Sequence, residues 1–107
     1  MTEPDFLVLT TTHDDQAAAR ALAASLVRDR LAACAQVYPV ESVYWWDGEV
    51  QNTTEWRIDL KTRADLADRL TARIAELHPY DTPEVVAVPV VAGSPAYLAW
   101  LTAETAV

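Results

Sequence analysis

Val43-Tyr44-Trp45-Trp46-Asp47-Gly48-Glu49-Val50 (43–50) is the stretch whose reading decides the fold. Asp-Gly between apolar, aromatic-rich runs is a tight-hairpin signal, because both central positions of a type I′ turn need positive φ. Upstream, 33–46 is β-like. Downstream, Trp56, Ile58 and Leu60 alternate with Glu55, Arg57, Asp59 and Lys61. A period of two means one buried and one polar face. Counting outward from the turn sets Trp46 opposite Glu49 and Tyr44 opposite Gln51, which places Trp45 and Val50 on the face of Trp56, Ile58 and Leu60. Each arm, 33–46 and 49–61, spans about 43 Å at about 3.3 Å per residue. The tip therefore projects past the rest of a small domain, unless a bulge near Pro39 bends it back.

The remaining elements follow from caps and periodicity. Residues 6–12 read as a buried strand. Asp14 or Asp15 is placed to cap a helix over 16–30, with Ala18, Leu22, Ser25 and Leu26 as a narrow inner face. Thr62 stands where an N-cap would open a helix over 63–77, whose Leu66, Leu70, Ile74 and Leu77 form an apolar stripe. His78-Pro79 ends that helix. Residues 83–91 read as a last core strand. Ser94 and Pro95 then start a short helix carrying Tyr97, Leu98, Trp100 and Leu101. The order β-α-β-β-α-β-α predicts an α+β, ferredoxin-like domain over 1–107, an antiparallel four-stranded sheet with helices on one face.

Composition narrows the function classes. The chain has 107 residues, one domain's worth, and carries a formal charge of −8 from 16 carboxylates and 8 bases. Dispersed bases in that background exclude a nucleic-acid or anionic-membrane binder. Two glycines are too few for a phosphate-cradling loop. No apolar run approaches the length of a membrane helix. An acidic start unlike a signal peptide, together with a single cysteine, gives the expectation of a cytoplasmic protein.

The hairpin tip is not polar. Tyr44, Trp45 and Trp46 beside Val43 and Val50 would expose a large apolar area on a projecting ribbon. A second copy of the chain is the expected cover, the alternative being a tip folded back into its own core.

Two sets of side chains stand out as candidate sites. Tyr44, Trp46, Glu55 and Lys61 share the polar strand face, and with Tyr80 they are candidates for a binding or acid–base cleft between copies. A solvated face of alternating charges is the competing reading. His78 is a candidate metal ligand or a helix C-cap. Cys34 is a soft metal ligand or a packed small hydrophobe. His13, at the exit of the first strand, reads as an exposed loop residue. No HxH or HExxH spacing, Ser-His-Asp set or nucleophile elbow occurs.

Several stretches together resemble the CutA family. They are Leu26-Val27 with Arg30-Leu31-Ala32-Ala33-Cys34, Ser42 to Gly48, Glu55, Lys61-Thr62, His78 to Val85, Pro89-Val90, Gly93 and Tyr97-Leu98-x-Trp100-Leu101. The resemblance implies a ferredoxin-like subunit in a homotrimer related to PII-type signalling proteins. It also implies a role in tolerance of copper and other divalent cations, with recurrent residues corresponding to Tyr44, Trp46, Glu55, Lys61, His78 and Tyr80 near subunit clefts. Copper(II) or another divalent cation is the cofactor this implies. The family pattern of a first-strand cysteine and paired histidines is not kept, since Thr10 and Leu77-His78 stand there. Two other functions stay open: a PII-like module sensing a small metabolite, and an enzyme using Glu55 and Lys61.

Overall fold

The Asp47-Gly48 turn has φ of 53° at Asp47 and 75° at Gly48, the left-handed pair a type I′ hairpin requires. The computed structural model describes residues 4–106. From that turn β2 (Cys34–Trp46) and β3 (Glu49–Arg63) run back with no slip, from Trp46 opposite Glu49 to Cys34 opposite Lys61. No bulge occurs at Pro39. Val90 N–H donates to Phe6 O on one edge of β1, and alternation from there points the backbone of odd-numbered β2 residues off the sheet. Pro39, which has no N–H, falls on that outward edge and removes no ladder bond.

β1 (Phe6–His13) lies between β3 and the short β4 (Val86–Pro89), giving an antiparallel sheet in the order β2-β3-β1-β4. The split βαβ arrangement is therefore present. One face is covered by α1 (Gln16–Arg28) and α2 (Ala67–Leu77). Their Ala19, Leu22, Ala23, Leu26, Leu70 and Ile74 bury against Leu9, Ile58 and Leu60. Asp15 caps α1 by accepting from Ala18 N–H at 2.8 Å. Ser94 caps α3 (Pro95–Glu104) in the same way, accepting from Tyr97 N–H.

Several boundaries differ from expectation, each for a local reason. Thr62 is not an N-cap. It continues β3 opposite Leu7, and its buried hydroxyl donates to Leu31 O at 2.7 Å, satisfying a carbonyl in the α1–β2 connection. A 3₁₀ turn over Ala64–Leu66 then delays α2 to Ala67. Leu77 is 40 % exposed and lies off the inner stripe. The last strand is only four residues long, with its side chains exposed, because it is an edge strand covered on neither side.

α1 stops at Arg28 rather than Arg30 because Arg30 turns left-handed, with φ 62°. Arg30 N–H donates to Val27 O and Leu31 N–H to Leu26 O, the paired closure normally made with glycine. An L side chain there costs about 1 kcal/mol. The guanidinium offsets this by donating from Nη1 to both Glu104 O and Glu104 Oε2 at 3.0 Å, tying α1 to the end of α3.

The other sheet face has no helix over its centre. Its middle is held by Asp59, which accepts from Tyr38 Oη at 2.6 Å, Thr10 Oγ1 at 2.8 Å and Arg57 Nε at 3.2 Å, linking three strands. Burial raises the Asp59 pKa, but the bonds from Tyr38, Thr10 and Arg57 outweigh it and hold the carboxyl below the ordinary range.

Two predictions follow from these contacts. Arg30→Ala keeps the left-handed strain and loses the clamp, so urea unfolding should show it about 1 kcal/mol less stable than Arg30→Gly; equal stabilities would contradict the account. For Asp59, a lowered folded pKa means its stabilisation is complete above the unfolded value of about 3.9. It is lost as pH falls through the folded value below that. Asp59→Asn should therefore cost about 1–2 kcal/mol at neutral pH, and the gap to wild type should close only in acid below about pH 4. A gap that closes between neutrality and pH 5 would argue against the network.

Candidate functional site

Three rings meet where β1 ends. The centroids of His13 and His78 are 5.0 Å apart, those of His78 and Tyr80 4.4 Å, and those of His13 and Tyr80 5.9 Å. His13 is buried, at 6 % exposure, and is not a loop residue. It is the next inward position after Leu9 and Thr11 on β1, opposite Trp56. Its Nδ1 accepts from Asp15 N–H at 3.1 Å and lies 3.2 Å from Asp14 Oδ1.

His78 ends α2, its N–H donating to Ile74 O at 2.8 Å. Its ring is spent on the backbone. Nδ1 accepts from Tyr80 N–H at 3.2 Å, so the proton of the neutral ring sits on Nε2, which donates to Thr12 O at 2.7 Å. The register explains the second bond. Thr12 points its backbone to the β4 side of β1, but the β1–β4 ladder ends at Thr10 opposite Val86. The imidazole takes the place of the next strand residue.

Tyr80 is half-buried. Burial pushes its phenol up to about 12, with the charges of Asp14 and Glu55 and the neighbouring Tyr44 adding to the shift. It is a proton donor at any physiological pH. Glu55 is half-buried opposite Val40, and the Tyr44 hydroxyl lies 3.2 Å from Thr53 Oγ1. Asp14, Glu55 and Tyr44 thus all act electrostatically on Tyr80, the member of the ring trio that the two sheet faces share, while alternation along β3 turns Glu55 to the face opposite His13.

The other candidates stand elsewhere. Trp46 is at the tip, 60 % exposed, next to Glu49 and on the order of 20 Å along β3 from Glu55. Lys61 lies a similar distance in the opposite direction, where its Nζ is 5.6 Å from the Tyr97 ring centre. Glu55 and Lys61 of one chain therefore cannot act as an acid–base pair. Cys34 is half-buried directly opposite Lys61, at the far end of the sheet from His78. Among the described residues no group of three or more His, Cys, Asp or Glu side chains is placed to hold a metal. With both nitrogens of His78 hydrogen-bonded as well, the described residues of one chain hold no preformed metal centre.

His13 and the Asp59 hub are the features that reading by residue type misses. Both are accessible to counting. Parity along β1 turns His13 inward, and pairing from the Asp47-Gly48 turn sets Tyr38 opposite Arg57, beside Asp59.

Comparison with known proteins gives a consistent answer. The family model of the CutA1 divalent ion tolerance protein matches residues 6–104. The protein CutA 1, chloroplastic, of Oryza sativa subsp. japonica is 44 % identical over 101 residues, covering 94 % of this chain and 56 % of the rice protein. The chain thus spans about half the length of that plant relative. The divalent-cation tolerance protein CutA of Pyrococcus horikoshii is 38 % identical over 99 residues, covering 92 % of this chain and 97 % of its own length. The structure of the periplasmic divalent cation tolerance protein CutA from Archaeoglobus fulgidus superposes with a TM-score of 0.92 at 27 % identity, covering 94 % of this chain and 99 % of that one. These names overturn the expectation of a cytoplasmic protein: relatives of this fold are described as chloroplastic and periplasmic. A lone free cysteine forms no internal disulfide in any compartment, so cysteine count cannot discriminate between them. The family model, the relatives and the superposition agree over nearly all of the chain, which belongs to the CutA divalent-ion tolerance family.

Proposed function

We propose that this chain works as a homotrimer in tolerance of divalent ions, copper in particular, with cations met at clefts between copies. The observation that carries the reading is apolar surface with nothing on it. Trp45 is 75 % exposed and Val43 67 %, on the face of the ribbon that would meet the helices if the hairpin did not outrun them. The tip does not fold back into the chain's own core. α3 adds to this: Pro95 to Leu101 is apolar nearly throughout, yet Tyr97 and Trp100 remain open and only Leu101 of that run is buried. A helix apolar on all sides is one meant to be covered. The β2 edge, thirteen residues long, also leaves its outward backbone groups unpaired in a single chain. The count of three copies rests on the family resemblance.

The described residues do not make a metal site within one chain, so cation binding on this reading is weak and shared. The carboxylates of Glu55 and Asp14, at the hairpin's base, are the donors left to offer, while His78 serves as a strand cap. The acidic surface raises the local concentration of cations around such a cleft.

Light scattering on the purified chain should give three times 11.8 kDa, and Trp45→Asp should shift the mass toward the single chain. A stable 11.8 kDa wild-type species would overturn the assembly. Calorimetric titration with copper(II) should show uptake that Glu55→Gln weakens about threefold or more, an effect of roughly 0.7 kcal/mol. No heat of binding up to about 1 mM copper would remove the metal from the proposal.

A further inference from the structure

His13 and His78 are the only histidines of the chain, and their rings are used differently. His78 has both ring nitrogens bonded to backbone groups. His13 has one nitrogen engaged. Asp15 N–H, which can only donate, reaches Nδ1 at 3.1 Å, so the proton of the neutral ring is on Nε2. Nε2 makes no hydrogen bond to any described residue. Among the described residues, the one fully buried side-chain nitrogen or oxygen without a partner is Thr11 Oγ1. Nε2 is therefore not sealed in the core. It keeps contact with solvent, although the His13 side chain as a whole is 8 % exposed.

The inner nitrogen is pulled two ways. Asp14 Oδ1 lies 3.2 Å from the same Nδ1. In the tautomer that Asp15 selects, a carboxylate oxygen and an imidazole lone pair face each other, which is a repulsive contact. The opposite tautomer carries its proton on Nδ1. It turns that contact into a charge-assisted hydrogen bond to Asp14 and leaves the Nε2 lone pair open to solvent. What it gives up is the acceptor of Asp15 N–H, and Asp15 is exposed, so water can replace it. The ring is held in place meanwhile, with the centroids of His78 and Tyr80 5.0 and 5.9 Å from its own. A fixed imidazole whose inner N–H goes to a carboxylate is the arrangement of metal-ligating histidines.

We propose that His13 Nε2 is a ligand for one borderline divalent ion of the zinc(II) and copper(II) kind, with Asp14 holding the ring proton and water filling the rest of the shell. Binding moves the proton and does not remove it: one leaves Nε2 to solvent and one is taken up on Nδ1, so the ring stays neutral. Imidazole nitrogen favours such ions over calcium and magnesium, which prefer oxygen. The site is not preformed, because the metal-free ring holds the other tautomer. It lies outside the family-pattern positions Thr10 and Leu77-His78. It is on the helix side of the sheet at the end of β1, and not on the hairpin tip, the β2 edge or α3, the surfaces assigned above to another copy. It goes beyond the shared clefts, since it uses neither Glu55 nor a second chain and has only Asp14 in common with them.

Long-range proton–nitrogen correlation spectra of the untagged, ¹⁵N-labelled protein read the tautomer of each ring. His13→Gln, or the through-space contact of the ring with the Asp15 amide, assigns the two histidines. Before metal is added, His13 should show Nδ1 unprotonated and Nε2 protonated. Zinc(II), which is diamagnetic, should reverse that pattern saturably, half-complete at about 1 mM. His78 should keep its own pattern as an internal reference, and calcium at the same concentration should change nothing. Asp14→Ala, at an exposed residue, should raise the zinc required about tenfold, and Glu55→Gln should leave it unchanged. The proposal is overturned by a His13 pattern that zinc does not reverse, by an equal response to calcium, or by a ring with both nitrogens protonated before zinc is added. It is equally overturned by a zinc response that Asp14→Ala leaves intact or that Glu55→Gln abolishes. Copper uptake weakened by Glu55→Gln, beside an unmoved His13, would keep the clefts and lose this site. A reversed His13, beside uptake indifferent to Glu55→Gln, would do the opposite.

Discussion

One antiparallel register, continuous from Trp46 opposite Glu49 to Cys34 opposite Lys61, governs most of what this chain can do. Because side chains alternate strictly across a strand, a slip of one residue would exchange Trp56, Ile58 and Leu60 for Arg57, Asp59 and Lys61 on the core face. The turn prevents the slip. Asp47 and Gly48 both take positive φ, and that geometry joins strands in only one alignment. Pro39 is compatible with so long a strand because its missing N–H points off the sheet edge. The same length that secures the register carries the tip beyond the helices, so the surface that calls for a partner comes from the device that organises the core.

Along β3 the register separates two chemical neighbourhoods. On one side, Asp14, Glu55 and Tyr44 act electrostatically on Tyr80, and two buried imidazoles close the end of β1. On the other, Lys61 lies beneath Tyr97 with Cys34 opposite. Between them Asp59 gathers Tyr38, Thr10 and Arg57 into one charge-assisted hub across β2, β3 and β1. That hub satisfies a carboxylate that would otherwise be costly to leave half-buried. His78 belongs to the same economy of hydrogen bonds. With β4 only four residues long, a carbonyl on β1 is left over, and an imidazole supplies the missing donor.

Membership in a family named for divalent-ion tolerance sits beside a chain in which no three metal donors converge among the described residues. The two facts are reconciled if metal is met at surfaces that one chain only half provides. An exposed tryptophan-bearing ribbon, an apolar terminal helix and a free thirteen-residue strand edge are three independent reasons for copies to associate. Each concerns water and unpaired backbone, not metal.

Local chemistry was enough to read the hairpin, the Ser94 cap, the inner stripe Leu22–Leu26 and Leu70–Ile74, and the β-α-β-β-α-β-α order. Each rests on a turn dihedral, a capping oxygen or a periodicity contained within a few neighbouring residues. Resemblance in the quoted motifs pointed to the family. What sequence could not supply was which distant groups meet. Thr62 looked like a helix cap until the carbonyl of Leu31, about thirty positions away, claimed its hydroxyl. His13 looked exposed until the rings of His78 and Tyr80, beyond the end of α2, met it at the end of β1. Trp46, Glu55 and Lys61 looked like one cleft because they share a face, but a strand advances about 3.3 Å per residue and so separates along its length what alternation unites across it. Local pattern determines face and order. Only the packed tertiary structure decides distance, and chemistry between side chains depends on distance.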